Sequence, residues 1–221
     1  MNMKDKLAII SHRGGKSKHL ENTLEAFLYA VDVGAEAIEM DIRYSYLNRH
    51  FFLAHDFIHH PKRRLNFLDK SIQVIPSHVT LIIEFKTLSF LSNAFVKNFK
   101  KFYDEHLSKR NIIVQSFNPF VLIRMRKIAP QIPRGIICGS HFWKFVHNSI
   151  LCRFVDAQYY ILNKRYLNRR NVTFAREQGM KIYPYVVNTQ RVWKKAIRYD
   201  VDGVITDYPV KFMKLRSELK K

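Results

Sequence analysis

The chain has 221 residues, of which 47% are hydrophobic and 25% are charged. This composition supports a sizeable core and excludes collagen-like, low-complexity and intrinsically disordered classes. No stretch reaches the roughly 18 uncharged apolar residues that a membrane span requires. The 38 Lys and Arg against 18 Asp and Glu give a net charge of +20, which suits nucleic acid, an anionic lipid surface or a phosphate-bearing substrate without choosing among them. The plainer alternative is that the scattered basic residues form solvated helix faces and loops.

The length predicts a single domain over residues 1–221, since the sequence has no linker and no internal repeat of 20 to 50 residues. A short apolar stretch follows the first six residues without the features of a signal peptide, so we expect a cytoplasmic protein. Cys138 and Cys152 fit neither a disulfide framework nor a four-ligand zinc site, and we expect them to be reduced thiols.

Short β-branched runs alternate with amphipathic stretches along the chain, which is typical of a parallel α/β fold. We expect the run 51–55 to pair in a hairpin with the segment ending near Tyr44, which leaves eight strands for a closed barrel. The predicted strands are 7–11, 37–43, 51–55, 81–86, 112–116, 135–138, 157–162, 181–187 and 203–206. The predicted helices are 23–33, 90–107, 119–128, 142–153, 165–178 and 190–199.

The first predicted helix has recognisable ends. Asn22 is placed as its N-cap with Glu25 at the third helical position, and Gly34 as its C-cap. Gly179 repeats the C-terminal pattern in a later helix. A TIM-type (β/α)8 barrel is favoured over an open doubly wound sheet, because the turn after the first strand, 12–16, lacks a G-x-G-x-x-G spacing.

Acidic residues stand near the ends of two predicted strands. Glu39 and Asp41 share one face of a strand about 7 Å apart, and their mutual repulsion would be relieved by Mg²⁺ or Ca²⁺. Glu84 and Lys86 share a face on another strand and would add a third carboxylate and a cation for a phosphate. The plainer alternatives are an exposed acid beside an N-capping acid, and a simple same-face ion pair.

Two of the ten histidines lie at predicted strand ends. His12 precedes Arg13 and two glycines, and His55 precedes Asp56. Such a pair can divide general acid and general base roles near neutral pH, while Arg13 binds phosphate oxygens; for either histidine alone a structural role is the alternative. The other eight are expected in loops or on the surface: His19, His50, His59, His60, His78, His106, His141 and His147.

Seven segments together resemble the glycerophosphodiester phosphodiesterase family, in the family's order and across nearly the whole chain. They are HRG at 12–14, ENTLEAF at 21–27, GAEAIEMDI at 34–42, AHD at 54–56, IEFK at 83–86, VQSFNP at 114–119 and VDGVITDYP at 201–209.

The resemblance implies a TIM barrel of the phospholipase C-like type and a phosphoric diester hydrolase of glycerol and lipid metabolism. The expected products are sn-glycerol 3-phosphate and an alcohol. The resemblance also implies roles for particular residues: His12 and His55 as the catalytic pair, Arg13 and Lys86 as phosphate contacts, and Glu39, Asp41 and Glu84 as ligands of one Mg²⁺ or Ca²⁺. It leaves open which histidine is the acid and which is the base.

The sequence departs from the family pattern at several places. Leu20 replaces a common proline, and 185–188 read Tyr-Val-Val-Asn where Trp-Thr-Val-Asn is common. Only residues 56–83 separate His55 from Glu84, so we expect a trimmed cap and an open mouth, which leaves lysophospholipids as alternative substrates.

The segment 57–68 is basic and flanked by aromatics, and is a candidate for peripheral contact with an anionic membrane against a plain basic loop. A further alternative is a nucleic-acid-binding or membrane-binding protein on a retired barrel. It is disfavoured because a site without function has no physical reason to keep three repelling carboxylates together.

Overall fold

Strands and helices alternate along the computed structural model, which describes residues 7–56, 66–139 and 149–218. The strands are β1 (Ala8–His12), β2 (Ala37–Ser45), β3 (His50–Leu53), β4 (Asn66–Phe67), β5 (Thr80–Phe85), β6 (Ile112–Ser116), β7 (Arg134–Cys138), β8 (Tyr159–Asn163), β9 (Lys181–Tyr185) and β10 (Gly203–Thr206). The helices are α1 (Leu24–Asp32), α2 (Leu68–Gln73), α3 (Ser92–Phe102), α4 (Pro119–Ile128), α5 (Ser149–Val155), α6 (Arg169–Glu177), α7 (Gln190–Arg198) and α8 (Pro209–Glu218).

The strands form the predicted TIM-type barrel. Parallel pairing runs in the order β10-β1-β2-β5-β6-β7-β8-β9, and the antiparallel β3 pairs with β2 and with β4. Two backbone hydrogen bonds join the segments of β9 and β10: Asp202 donates to Ile182 at 3.1 Å, and Val187 donates to Ile205 at 2.8 Å. Because the eight barrel strands are parallel, their carboxyl ends all open at one end of the barrel.

Side chains along these strands point alternately into and out of the barrel, and those that point inward form two layers. The lower layer is an apolar cluster with one residue from each parallel strand: Ile10, Ala37, Ile82, Ile113, Ile137, Ile161, Tyr183 and Ile205. Two positions farther along, side chains return to the same face, and there the residues are mostly polar: His12, Glu39, Glu84, Gln115, Asn163, Tyr185 and Asp207. The polar groups therefore stand on an apolar floor at the open end.

Several predicted elements need correction. Strand β3 covers His50–Leu53, so His55 lies beyond it. The region predicted as one helix, 90–107, is divided into a 3₁₀ turn, α3 and a π-helical turn (Tyr103–Leu107). The helix predicted to begin at residue 165 begins at Arg169, after another 3₁₀ turn. Residues 142–148 of a predicted helix lie outside the described residues, and its described part belongs to α5.

Two helices, α2 and α8, were not predicted. Helix α2 has six residues, too few for the 3.6-residue period to emerge. The basic residues of α8 obscured it, although Pro209 stands at its first position, where proline favours a helix start.

The predicted cap of α1 is wrong by one residue. Thr23 is the N-cap, and its hydroxyl accepts a hydrogen bond from the amide of Ala26 at 3.2 Å. Asn22 has φ +57°, whereas an N-cap residue is extended. Gly34 and Gly179 follow their helices at φ +78° and +70°, the left-handed conformation expected of a C-terminal glycine.

Both cysteines are buried free thiols, as expected. Burial raises the pKa of Cys138 to about 12 and that of Cys152 to about 11, so both remain protonated near neutral pH. Within 7–56, 66–139 and 149–218, no helix has the length and apolar character needed to cross a membrane.

Candidate active site

A cavity of about 130 Å³ opens at the carboxyl ends of the strands. Its floor is apolar and one wall is formed by Phe117, Tyr185 and Val186. Six of the seven residues proposed from the sequence line it, and the seventh, Asp41, is fully buried directly behind them. The lining residues from that set are His12, Arg13, Glu39, His55, Glu84 and Lys86.

Three carboxylates meet at this cavity: Glu39 and Glu84 line it, and Asp41 lies behind them. Asp41 of β2 stands opposite Glu84 of β5 in the parallel register, and Glu39 lies two residues back on the same face of β2. One oxygen from each lies within 4.8 Å of the other two. Glu39 is 2% exposed, Asp41 0% and Glu84 6%, so water screens the repulsion between their charges poorly. The predicted convergence of the three acids is observed.

Two cations contact these carboxylates. Arg13 Nε lies 2.9 Å from Asp41 Oδ2, and Lys86 Nζ lies 3.2 Å from Asp41 Oδ1 and also contacts Glu84 Oε1. Asn22 adds a hydrogen bond from its side-chain amide to Asp41 Oδ2 at 3.0 Å. Arg13 and Lys86, the residues expected to contact phosphate, are therefore ion-paired with the acids, and both line the cavity.

This environment shifts the pKa values of the three acids in different directions. Burial raises the pKa of Glu39 well above its usual range, and the neighbouring Asp41 and Glu84 add to the effect. Burial, with repulsion from Asp41, also raises the pKa of Glu84 to about 7. Burial acts in the same direction on Asp41, but Lys86 and Arg13 outweigh it and hold the pKa of Asp41 below its usual value.

The donor set fits a divalent cation. The described residues bring three carboxylates and two cations together, which leaves one negative charge when all the groups are ionised. Asp41 Oδ1 and Glu84 Oε1 are buried, and both face the ammonium of Lys86. Buried oxygens of this kind are the ligands that hard cations such as Mg²⁺ and Ca²⁺ take.

The raised pKa values predict a pH-dependent stability for the protein kept free of metal. The folded protein retains protons on Glu84 up to about pH 7, whereas in the unfolded chain the glutamate releases its proton near its usual pKa of 4.5. We therefore expect the free energy of unfolding to fall as pH rises from about 4.5 to about 7, by an amount on the order of 3 kcal/mol from Glu84. Urea unfolding in the presence of a chelator, at steps across this range, measures the slope.

A glutamine variant separates this effect from the other titrating groups. Glu84→Gln should flatten the pH slope, because the amide has no proton to release, while Glu177→Gln on the exposed surface of α6 should leave it unchanged. Equal slopes in the wild-type protein and Glu84→Gln would contradict the prediction.

His12 is held by a chain of hydrogen bonds at the end of β1. Its Nδ1 lies 2.6 Å from Asp207 Oδ1, and Asn188 donates to Asp207 Oδ2 at 2.6 Å. Burial opposes ionisation of Asp207, but its hydrogen bond with His12 and the charge of that imidazole outweigh burial and lower the pKa of the aspartate. The other ring nitrogen of His12, Nε2, lies 3.9 Å from Glu39 Oε2 and is free of the aspartate.

His55 has a similar partner in a more exposed setting. Its Nδ1 lies 2.7 Å from Asp56 Oδ1, and its carbonyl accepts a hydrogen bond from Arg43 Nη2 at 2.6 Å. The side chain of Asp56 is 71% exposed, against 30% for Asp207. Both histidines therefore have Nδ1 paired with an aspartate, and the pair at His12 is better shielded from water.

The glycines after His12 bring the first loop onto the site. Gly14 has φ +90°, and a Cβ there would lie 2.6 Å from the Cβ of Ala26, so only glycine fits. The resulting turn lets the backbone amide of Arg13 donate to Glu39 Oε2 at 3.2 Å.

Sequence reasoning missed five supporting residues. These are Asn22, which bonds Asp41; Arg43, which bonds the His55 carbonyl; Gln115, which donates to Glu39 Oε1 at 3.4 Å; and Asn188 and Asp207, which hold His12. For Gln115 a signal was available, since it follows Ile113 by two positions in the pattern that places Glu84 after Ile82. The contacts of the others join segments distant in sequence.

Comparison with known proteins agrees with this geometry. The family model for the glycerophosphoryl diester phosphodiesterase family matches residues 12–60 and 48–211. The glycerophosphodiester phosphodiesterase of Caldanaerobacter subterraneus is 24% identical over 237 residues, covering 92% of this chain and 95% of its own. A protein of the same name from Bacillus altitudinis is 25% identical and covers 96% and 99%.

The fold is shared with solved structures at low sequence identity. A phosphodiesterase from Oleispira antarctica, solved with the product sn-glycerol-3-phosphate, superposes with a TM-score of 0.82 at 19% identity and covers 97% of both chains. A glycerophosphodiester phosphodiesterase from Thermotoga maritima superposes with a TM-score of 0.77 at 20% identity, covering 95% of this chain and 98% of its own. Since the family model spans the barrel and its acidic and histidine motifs, this chain belongs to the glycerophosphoryl diester phosphodiesterase family.

Proposed function

We propose that the chain is a metal-dependent glycerophosphodiester phosphodiesterase, with one catalytic domain over residues 1–221, that releases sn-glycerol 3-phosphate and an alcohol. The observation that carries the proposal is the site itself: two histidines, each paired with an aspartate, line a cavity at which three buried carboxylates meet. Family membership supports the same reaction class.

His12 and His55 are the proposed proton-transfer groups. A histidine whose Nδ1 is paired with a carboxylate keeps Nε2 available to accept or to donate a proton. One of the two deprotonates the nucleophile, a substrate hydroxyl or water, and the other protonates the leaving alkoxide. Asp207 and Asp56 act as positioning residues that fix the orientation of the imidazoles.

Arg13 and Lys86 are the proposed phosphate contacts, and Glu39, Asp41 and Glu84 would hold one Mg²⁺ or Ca²⁺. Both cations line the cavity and also contact Asp41, so phosphate oxygens would meet a positive edge above the acids. When bound, the ion would stabilise negative charge developing on the phosphoryl oxygens. The guanidinium and the ammonium add to that stabilisation from the protein side.

A substrate panel tests the proposal. Glycerophosphocholine and glycerophosphoethanolamine are supplied with Mg²⁺, with Ca²⁺ and with excess chelator, and release of sn-glycerol 3-phosphate is followed. We expect hydrolysis with at least one cation and its loss in chelator. Absence of hydrolysis with both cations and both diesters would contradict the proposed activity.

Lysophospholipids are a second candidate substrate class. The cavity has an aromatic and apolar wall of Phe117, Tyr185 and Val186, which an acyl chain could contact. Release of choline together with lysophosphatidic acid from lysophosphatidylcholine, at a rate above that for glycerophosphocholine, would identify this activity.

Replacing Asp207 by asparagine is expected to lower kcat by about 10²–10⁴-fold, since the same change to the aspartate that orients the histidine of a catalytic triad costs about 10⁴-fold. The reason is that the amide can present its NH₂ group to His12 Nδ1 and favour the wrong tautomer. KM should change little, because Asp207 pairs with the imidazole and does not line the cavity.

Asp56→Asn is the matched comparison. Asp56 is mostly exposed, so water can replace its contact with His55, and we expect a smaller loss of kcat. A variant farther from the site, Asp202→Asn at the opposite end of β10, should keep wild-type kcat even if it is less stable. Equal kcat in Asp207→Asn and the wild-type protein would contradict the assigned role.

A further inference from the structure

Five large apolar side chains are exposed on three connections that follow barrel strands, the last of which includes the first turn of a helix. Tyr46 and Leu47 lie at the tip of the β2–β3 hairpin, Leu88 and Phe90 between β5 and α3, and Phe120 in the first turn of α4. Leu47 is 91% exposed, Phe90 78% and Phe120 55%. We call these five residues the apolar rim.

Hydrogen bonds show that the three loops are neighbours. The Tyr46 hydroxyl lies 3.3 Å from the carbonyl of Leu91, which joins the hairpin tip to the β5–α3 loop. The side-chain amide of Asn118 donates to the carbonyl of Thr87 and to Ser92 Oγ, each at 3.3 Å, which joins the β6–α4 loop to the same segment. The apolar rim is therefore a single surface.

The apolar rim lies at the catalytic end of the barrel. Its loops follow the carboxyl ends of β2, β5 and β6, the end at which the cavity opens. Leu88 is two residues beyond Lys86, and Phe120 is three residues beyond Phe117, and both Lys86 and Phe117 line the cavity. A surface that covered the apolar rim would lie beside the mouth of the site.

The loops that carry the apolar rim are basic, although Asp69 and Glu105 lie in the cavity that Tyr46 and Arg49 also line. The loop residues 46–49, 87–91 and 117–118 include Arg49 and contain no acidic residue. Arg124, one turn along α4 from Phe120, donates to the Phe120 carbonyl at 3.3 Å. With a net charge of +20, two copies meeting through this surface would repel each other, which disfavours self-association.

We propose that the apolar rim docks on an anionic lipid bilayer. Leu47, Phe90 and Phe120 would enter the interface between headgroups and acyl chains, where aromatic side chains are favoured, while Arg49 and Arg124 contact the anionic headgroups. Exposed apolar tips flanked by positive charge supply both terms of peripheral binding, buried apolar area and attraction to anionic lipid. The docking does not depend on the proposed function; if that function holds, the cavity would face substrates at a lipid surface.

Vesicle sedimentation tests the docking. Full-length protein in chelator, without substrate, is spun with vesicles of phosphatidylcholine alone or of phosphatidylcholine and phosphatidylglycerol at three to one. We expect binding to the anionic vesicles, and a partition coefficient about tenfold or more lower in the triple variant Leu47→Ser, Phe90→Ser, Phe120→Ser. Leu47→Ser alone, at the most exposed site, should give a smaller loss in the same direction.

Phe154→Ser is the matched control. Phe154 is 59% exposed but lies at the end of α5, near the opposite end of the barrel, so its loss should leave vesicle binding unchanged. The proposal is overturned if the wild-type protein binds only phosphatidylcholine or neither vesicle, if it binds duplex DNA but not anionic vesicles, or if the triple variant binds them as the wild-type protein does. Hydrolysis of soluble glycerophosphocholine, assayed separately, reports on the proposed function and should be unchanged in the triple variant.

Discussion

Replacing His12 by glutamine is expected to lower kcat for glycerophosphodiester hydrolysis by about 10²–10⁴-fold, the contribution of one general acid or base. Nδ1 of His12 is paired with Asp207, and Nε2 lies 3.9 Å from Glu39 beside the carboxylate cluster. Glutamine can occupy the same space and keep a polar contact with Asp207, but it cannot exchange a proton near neutral pH. Initial rates across a range of substrate concentrations separate kcat from KM.

Two controls make the result specific. His78→Gln changes an exposed histidine at the opposite end of the barrel and should retain wild-type kcat. Titration of the His12→Gln protein with Mg²⁺ or Ca²⁺ by calorimetry should give wild-type affinity, since the imidazole is not among the three carboxylates. A kcat for His12→Gln within about threefold of the wild-type value would be too small a loss for a proton-transfer group and would remove His12 from the mechanism.

Strand alternation made much of the site predictable. Glu39 and Asp41 had to share a face, and so did Glu84 with Lys86, because side chains two apart in a strand point the same way. That the two strands are neighbours followed from the barrel prediction, which the pairing of β2 with β5 confirms. The sequence could not give the register, which puts Asp41 directly opposite Glu84.

The residues that support the site were harder to identify. Asp207 lies 195 residues from His12 in the chain, and Arg43 reaches a backbone carbonyl, so neither contact has a local pattern. The spacing of Asn22 and Glu25 predicts Asn22 as the helix cap. The adjacent Thr23 caps the helix instead, and the left-handed backbone of Asn22 turns its amide to Asp41.

The sequence predicts membrane contact through the segment 57–68, which is not part of the apolar rim. Residues 57–65 of that segment lie outside the described part of the structure. The apolar rim consists of single side chains in three separate loops, so only the folded barrel brings them together. A basic composition indicated an anionic partner, but the three-dimensional arrangement was needed to propose a surface for it.

Replacing Asp41 by asparagine is expected to weaken binding of Mg²⁺ or Ca²⁺ by about 10²-fold, since affinity at oxygen sites follows the charge of the ligands. Asp41 is the carboxylate whose pKa is held below its usual value, so it is ionised over the whole working pH range, whereas burial raises the pKa of Glu39 and Glu84. The change also puts an uncharged amide against Arg13 and Lys86. We expect kcat/KM to fall by about 10²-fold or more, because the proposed mechanism uses both the ion and an ordered pair of cations.

Calorimetric titration of metal into the variant, alongside rates at increasing metal concentration, distinguishes two outcomes. If Asp41 serves mainly as a ligand, high metal concentration should restore part of the activity; if it serves mainly to position Arg13 and Lys86, activity should stay low at saturating metal. Asp69→Asn in the first turn of α2 is the matched control and should bind metal as the wild-type protein does. Wild-type metal affinity in Asp41→Asn would contradict the assignment of this carboxylate cluster as the metal site, because the variant removes the charge that Arg13, Lys86 and Asn22 all contact.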